Sequence, residues 1–167
     1  MIAQLQASTS SGVLPSFGKT KVPTNFYVDQ QGYPCNVPPW SEIMAVSSTT
    51  GDIVWRTPLG EYPELKAKGI TGTGTAVNDG GPIATASGLV FIGATSDFGF
   101  RAFDAKTGKE LWRATVDNDV LMTPLTYQGA NGKQFVAAVA GGGDAAFHLP
   151  ARTAPPVNAT LVAFALP

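Results

Sequence analysis

Residues 80–113, GGPIATASGLVFIGATSDFGFRAFDAKTGKELWR, form a series of short apolar runs broken by turn residues. Pro82–Ser87 is a first run, closed by Ser87-Gly88. Leu89–Ala94 is almost wholly apolar, the composition of a strand buried on both faces. Phe100–Phe103 alternates about Arg101, as a half-buried strand does. Ala105–Lys109 is a polar turn in which Gly108 can take the left-handed conformation of a bulged hairpin. Glu110–Arg113 then returns along the preceding strand. The stretch predicts four short antiparallel strands in sequence.

The unit recurs. Ala45–Arg56 lies 57 positions before Ala102–Arg113 and shares its Ala, Thr-Gly, Trp and Arg at matching places. Thr123–Tyr127 resembles Gly81–Thr85, 42 positions earlier, and Leu161–Phe164 echoes Phe100–Phe103. Repeats of roughly 40–50 residues with four strands each are propeller blades. The alternative is two unrelated hairpins that share a Thr-Gly turn. The expected fold is all-β: a partial β-propeller of about two and a half four-stranded antiparallel blades. One full blade lies near residues 80–116, flanked by partial blades, within a blade region at 33–167. Residues 1–32 read as an extended, linker-like segment.

Around the full blade the pattern is simpler. Asn25–Val28 is a candidate strand, turned by Gln30–Pro34, and Cys35–Trp40 is rigid and extended, with an aromatic that needs cover. Ser41–Ser48 and Asp52–Thr57 pair as a hairpin, and Tyr62–Asn78 is a long loop. Leu121–Tyr127 and Gln134–Ala140 are strands joined at Gly129–Lys133, and Thr160–Leu166 is the last. Gly141–Gly143 marks either close backbone approach to a ligand or loop slack. Helix content should be close to nil.

Composition narrows the function. Apolar residues make up 44% of 167 and charged residues 14%, which supports a packed core. A net charge of −1 without basic clusters gives no footprint for nucleic acid. No apolar run reaches a membrane span, and no charged-then-apolar leader follows Met1. The one cysteine, Cys35, forms no internal disulfide. The lone His148 has no ligand-spaced neighbours, so no metal site is expected.

The repeated Thr-Gly-x-x-x-Trp at a blade end resembles the tryptophan-docking motif of pyrroloquinoline quinone (PQQ)-dependent dehydrogenases. Pro34–Trp40, Gly80-Gly81-Pro82-Ile83, Asp97-x-x-x-Arg101-Ala102-Phe103, Thr123–Tyr127, Ala140-Gly141-Gly142 and Ala165–Pro167 follow the order of the C-terminal part of the membrane-bound glucose dehydrogenase group. The resemblance implies that Trp55 and Trp112 lie between blades as structural residues. It implies oxidation of a sugar or alcohol through PQQ, with Ca²⁺ or Mg²⁺ held by residues outside this chain. A quinone or cytochrome would accept the electrons, in the periplasm. Cofactor contacts would come from Asn78, Gly80, Gly81 and Asp97; the structural alternatives are a plain turn with glycines for geometry at Asn78–Gly81 and an Asp97–Arg101 ion pair. No catalytic residue and no metal ligand is assigned here. A histidine that many glucose-oxidising members carry after Ala140-Gly141-Gly142 is replaced by Gly143-Asp144. The chain would work with the rest of the propeller or with further copies of itself, and be inactive alone. A non-enzymatic PQQ-like repeat scaffold is the alternative.

Overall fold

The computed structural model describes residues 28–141 and 159–165. Its centre is a four-stranded antiparallel sheet of consecutive strands, β3 (Ile83–Ala84), β4 (Leu89–Ile92), β5 (Gly99–Asp104) and β6 (Glu110–Thr115). On one side lies the hairpin β1 (Glu42–Val46) and β2 (Ile53–Pro58). On the other lies the three-stranded sheet β7 (Leu125–Gln128), β8 (Gln134–Ala140) and β9 (Thr160–Ala165). This is the full blade between two partial ones, as expected. One helical turn, α1 (Pro63–Lys66), interrupts the long loop after β2, begun by a proline at its first turn.

Alternation sends the central strands' side chains to two cores. Val90, Ile92 and Phe103 pack against Ile43 and Leu59 of the first unit. Phe91, Phe100 and Ala102 pack against Val136, Ala138 and Ala140 of the third. This double cover explains why β4 is apolar throughout. It also corrects the half-buried reading of Phe100–Phe103. Gly99 through Phe103 are all buried, Arg101 included at 1% exposure, because carboxylates neutralise the guanidinium in place.

The two hairpins that suggested a repeat share details beyond sequence. The β1–β2 register slips between Ala45 and Val46, and the β5–β6 register slips between Ala102 and Phe103, 57 positions on. In each turn the glycine N–H donates back to the first turn residue, Gly51 to Ser47 O and Gly108 to Asp104 O. Thr50 N–H donates to Ser47 Oγ at 3.2 Å, and Thr107 N–H to Asp104 Oδ1 at 2.8 Å. The repeat therefore extends from sequence to register and local hydrogen bonding.

The first tryptophan locks its neighbour. The Trp55 indole N–H donates to the Ala105 carbonyl at 3.0 Å, and the Thr57 hydroxyl to the Gly108 carbonyl at 2.9 Å. Gly108, at φ +70°, lies so close under the indole that a Cβ there would stand 2.4 Å from Trp55 Cε3. Trp40 finds its cover in Tyr33, stacked at 5.9 Å, and Tyr62, edge-on at 5.7 Å. The Tyr33 hydroxyl donates to Glu64 at 2.9 Å; burial first, then this carboxylate, push the phenol up to about 12.

Two strands are shorter than the pattern implied. The run Pro82–Ser87 pairs only at Ile83–Ala84, because the turn at Thr85–Gly88 begins at once. The run from Leu121 pairs only from Leu125, its first residues being engaged by neighbouring loops. The readings on Asn25–Tyr27, Gly142–Asp144, His148 and the loop 147–158 fall outside the described residues.

Candidate functional site

The loop that runs from β2 to β3 and the loop that leaves β4 meet at one end of the blades, opposite the turn Thr85–Gly88 that leaves β3. Asn78 and Gly80 line a cleft of about 160 Å³ there, together with Glu42, Ile43, Leu59, Pro82 and Ile92. Asn78 is exposed at its mouth, and its amide makes no hydrogen bond to the described residues. It is thus available to donate to an incoming acceptor. Glu42 contributes a carboxylate, 3.9 Å from Arg56.

Gly80 and Gly81 have a packing reason to be glycine. At φ +119°, a Cβ on Gly80 would lie 3.0 Å from the Leu121 carbonyl oxygen, and one on Gly81 would lie 2.9 Å from Thr123 Oγ1. Their backbone presses on the segment that leads into β7. Both therefore serve the joint between blades, and Gly80 also lines the cleft.

Asp97 stands behind this cleft, not in its wall, and its side chain is fully buried. Oδ1 accepts from the Thr95 hydroxyl at 2.6 Å and Gly99 N–H at 3.0 Å. Oδ2 accepts from Arg101, from Arg113 at 3.1 Å and from the Glu61 backbone N–H at 2.9 Å. Burial alone would raise this carboxyl. The charge and hydrogen bond of Arg101, with Thr95 and Arg113, outweigh it and hold the group below its ordinary value. Arg101 also meets Glu110 at 3.3 Å. Two arginines and two carboxylates thus form a neutral cluster, and the Glu61 contact ties the loop after β2 to the central sheet.

The ion pair of Asp97 with Arg101 was legible from their spacing; Arg113, Glu61 and Thr95 were not. Glu42 also went unread, because its approach to Asn78 needs the hairpin and the loop placed together. Among the described residues no cluster of three His, Cys, Asp or Glu side chains could hold a metal ion. No described helix is long and apolar enough to cross a membrane.

A four-stranded antiparallel sheet between a hairpin and a three-stranded sheet, with a tryptophan locked against a glycine turn, defines part of a β-propeller of the quinoprotein type. The description of the PQQ glucose/ethanol/alcohol dehydrogenase β-propeller domain matches residues 3–136, and the chain belongs to that family. It is 35% identical over 167 residues to the quinate/shikimate dehydrogenase (quinone) of Acinetobacter baylyi, covering 96% of this chain and 20% of that protein. Against the glycerol dehydrogenase large subunit of Gluconobacter thailandicus it is 38% identical over 154 residues, covering 87% and 19%. Against quinoprotein glucose dehydrogenase A of Acinetobacter calcoaceticus it is 35% identical over 147 residues, covering 81% and 17%. The chain spans about a fifth of the length of these relatives.

Proposed function

We propose that this chain is the C-terminal portion of a periplasmic PQQ-dependent dehydrogenase that oxidises a sugar or alcohol. It supplies blade framework and one wall of the cofactor pocket, and passes no electrons alone. The observation that carries this is the cleft at Asn78 and Gly80, set at the end where the blade loops converge.

The residues fit part of such a pocket. A free amide at Asn78 and the backbone of Gly80 and Gly81 can face a carboxylate or carbonyl of a flat, polar cofactor. Asp97, its oxygens taken up by the protein, acts behind the wall by holding the Glu61 loop beside Leu59. When bound, PQQ supplies the two-electron chemistry of alcohol oxidation. The remaining polar partners, the Ca²⁺ or Mg²⁺ ligands and the base belong to blades outside this chain, as does contact with a quinone or cytochrome acceptor.

The test is to isolate the native gene product, weigh it, and assay dye reduction with PQQ and Ca²⁺. Candidate substrates are glucose, glycerol, quinate and simple alcohols. The expected product is roughly five times the length of this chain, from its one-fifth share of the relatives, and depends on PQQ. Asn78→Ala should raise the PQQ concentration needed for half-activity by about tenfold, the loss of one directed hydrogen bond to a charged group. A product of this chain's own length, or one indifferent to PQQ, overturns the reading in favour of a repeat scaffold.

A further inference from the structure

Asn78 stands at the end of a run of backbone held by buried hydroxyl groups. Ser41, the buried residue before Glu42, is the hub. Its hydroxyl donates to the Leu59 carbonyl at 2.6 Å and accepts the Thr75 N–H at 3.0 Å. Its carbonyl accepts the Leu59 N–H at 3.0 Å. Gly74, at φ +65°, rides on the same residue: a Cβ there would stand 2.5 Å from the Ser41 carbonyl oxygen. Thr75 is fully buried, and its hydroxyl donates to the Val77 carbonyl at 2.9 Å. The Tyr62 hydroxyl accepts the Ala76 N–H at 2.9 Å. The long loop after β2 is therefore pinned at each residue from Gly74 to Val77, and the next residue is Asn78.

We propose that Ser41 and Thr75 are positioning residues of the cleft, whose hydroxyls set Asn78 for the cofactor, a role that rests on the function proposed above. A peptide group is planar, so holding the Val77 carbonyl fixes the plane from which the Asn78 Cα departs. A side chain that must meet one acceptor needs its place held to about 0.5 Å. Asn78, exposed at the mouth, takes that placement from the backbone behind it. Ser41 holds the start of β1 by the same bonds, through its hydroxyl and carbonyl on Leu59, and the residue that follows it is Glu42. One serine thus sets the spacing between the strand that carries Glu42 and the loop that carries Asn78, both of which line the cleft. The two parts of Thr75 can be told apart. Its methyl fills the space beside Gly60, where a Cβ would stand 2.8 Å from it, while its hydroxyl serves Val77. A valine at this position keeps the methyl and loses only the hydroxyl.

Two measurements test this. In the full chain labelled with ¹⁵N, the Asn78 amide should relax as rigid backbone, with an order parameter of about 0.85. Thr75→Val and Ser41→Ala should each lower it below about 0.6, and Thr75→Ser, which keeps the hydroxyl, should restore it. In the native gene product, Thr75→Val should raise the PQQ concentration needed for half-activity by about tenfold, with Thr75→Ser close to native. The same change should have no further effect beside Asn78→Ala, because it acts through that residue. A residue that only supports the fold would weaken both backgrounds alike, in step with the melting temperature. An unchanged order parameter in Thr75→Val, or an effect on PQQ that persists beside Asn78→Ala, overturns the assignment. A native product indifferent to PQQ removes the dehydrogenase reading and the cofactor as the object of positioning. Loosening of Asn78 by Thr75→Val would then still uphold the clamp itself.

Discussion

At the scale of single residues, Asp97 carries the most. One buried carboxylate serves two guanidinium groups, a hydroxyl and two backbone N–H groups drawn from two units of the fold. Replacing it by alanine leaves Arg101, whose side chain is 2% exposed, with only Glu110 as counter-charge. The expected loss is roughly 3–5 kcal/mol, since an uncompensated buried charge costs far more than the pair gains; urea unfolding of Asp97→Ala measures it. The carboxyl is held below its ordinary value, so its stabilisation is full above the unfolded-state value near 4 and is lost as pH falls through the folded one. Unfolding midpoints between pH 7 and 3 should drop more steeply for the native chain than for Asp97→Asn. Parallel curves would mean that the cluster contributes nothing to acid stability.

At the scale of elements, two equivalent turns give a matched comparison. Gly51 and Gly108 both have φ near +75°, at +80° and +70°, but nothing lies within 4 Å of a Cβ on Gly51, whereas the Trp55 indole blocks one on Gly108. Gly51→Ala should therefore cost only the conformational term, about 1 kcal/mol. Gly108→Ala adds the displacement of an indole and loss of its bond to Ala105, for roughly 3–5 kcal/mol in all, comparable to Trp55→Ala. Denaturant midpoints of the three variants decide this, and equal costs for the two glycines would remove Gly108 from the lock. The strands, the turn and the locking tryptophan were readable in the sequence because propeller strands are short, alternate, and end in glycine turns that recur. What stayed hidden was anything set between units. Arg101 read as the polar position of a half-buried strand because its partner Glu110 belongs to another strand, as does Arg113, while Glu61, which with Arg113 holds its counter-ion Asp97, belongs to another loop. Gly80 and Gly81 read as ligand-facing or as a plain turn, and their pressure on Leu121 and Thr123 shows only when the third sheet is placed. Asn78 was found from motif resemblance, and its cleft-mate Glu42 had no local signal at all.

At the scale of the whole molecule, the chain holds one cleft at the blade end and, among the described residues, two uncovered blade faces. The isolated chain should not bind PQQ measurably, because affinity needs an enclosing, preorganised site; micromolar binding in calorimetry with Ca²⁺ would show that the wall suffices. Its ends set how it behaves in solution. Leu125, Tyr127, Val139 and Leu161 all point away from the central sheet, exposed by 52%, 44%, 40% and 71%, and cross-strand pairing joins them with Phe135 and Ala137 into one apolar face. On the first hairpin Val46, Ile53 and Val54 are exposed by 39%, 45% and 48%. Contiguous apolar faces of this kind are rare on soluble monomers. The two are unlike, so they match head to tail, as one blade's face meets the next in the central stack. A contact of that type does not end at a pair of molecules unless the rotation closes a ring. Light scattering should give an average mass that climbs with protein concentration and passes the dimer. Leu161→Lys, at a side chain already in solvent, should return the chain toward monomer without lowering its melting temperature. A native chain that stays monomeric at every concentration would mean that both faces are covered from within.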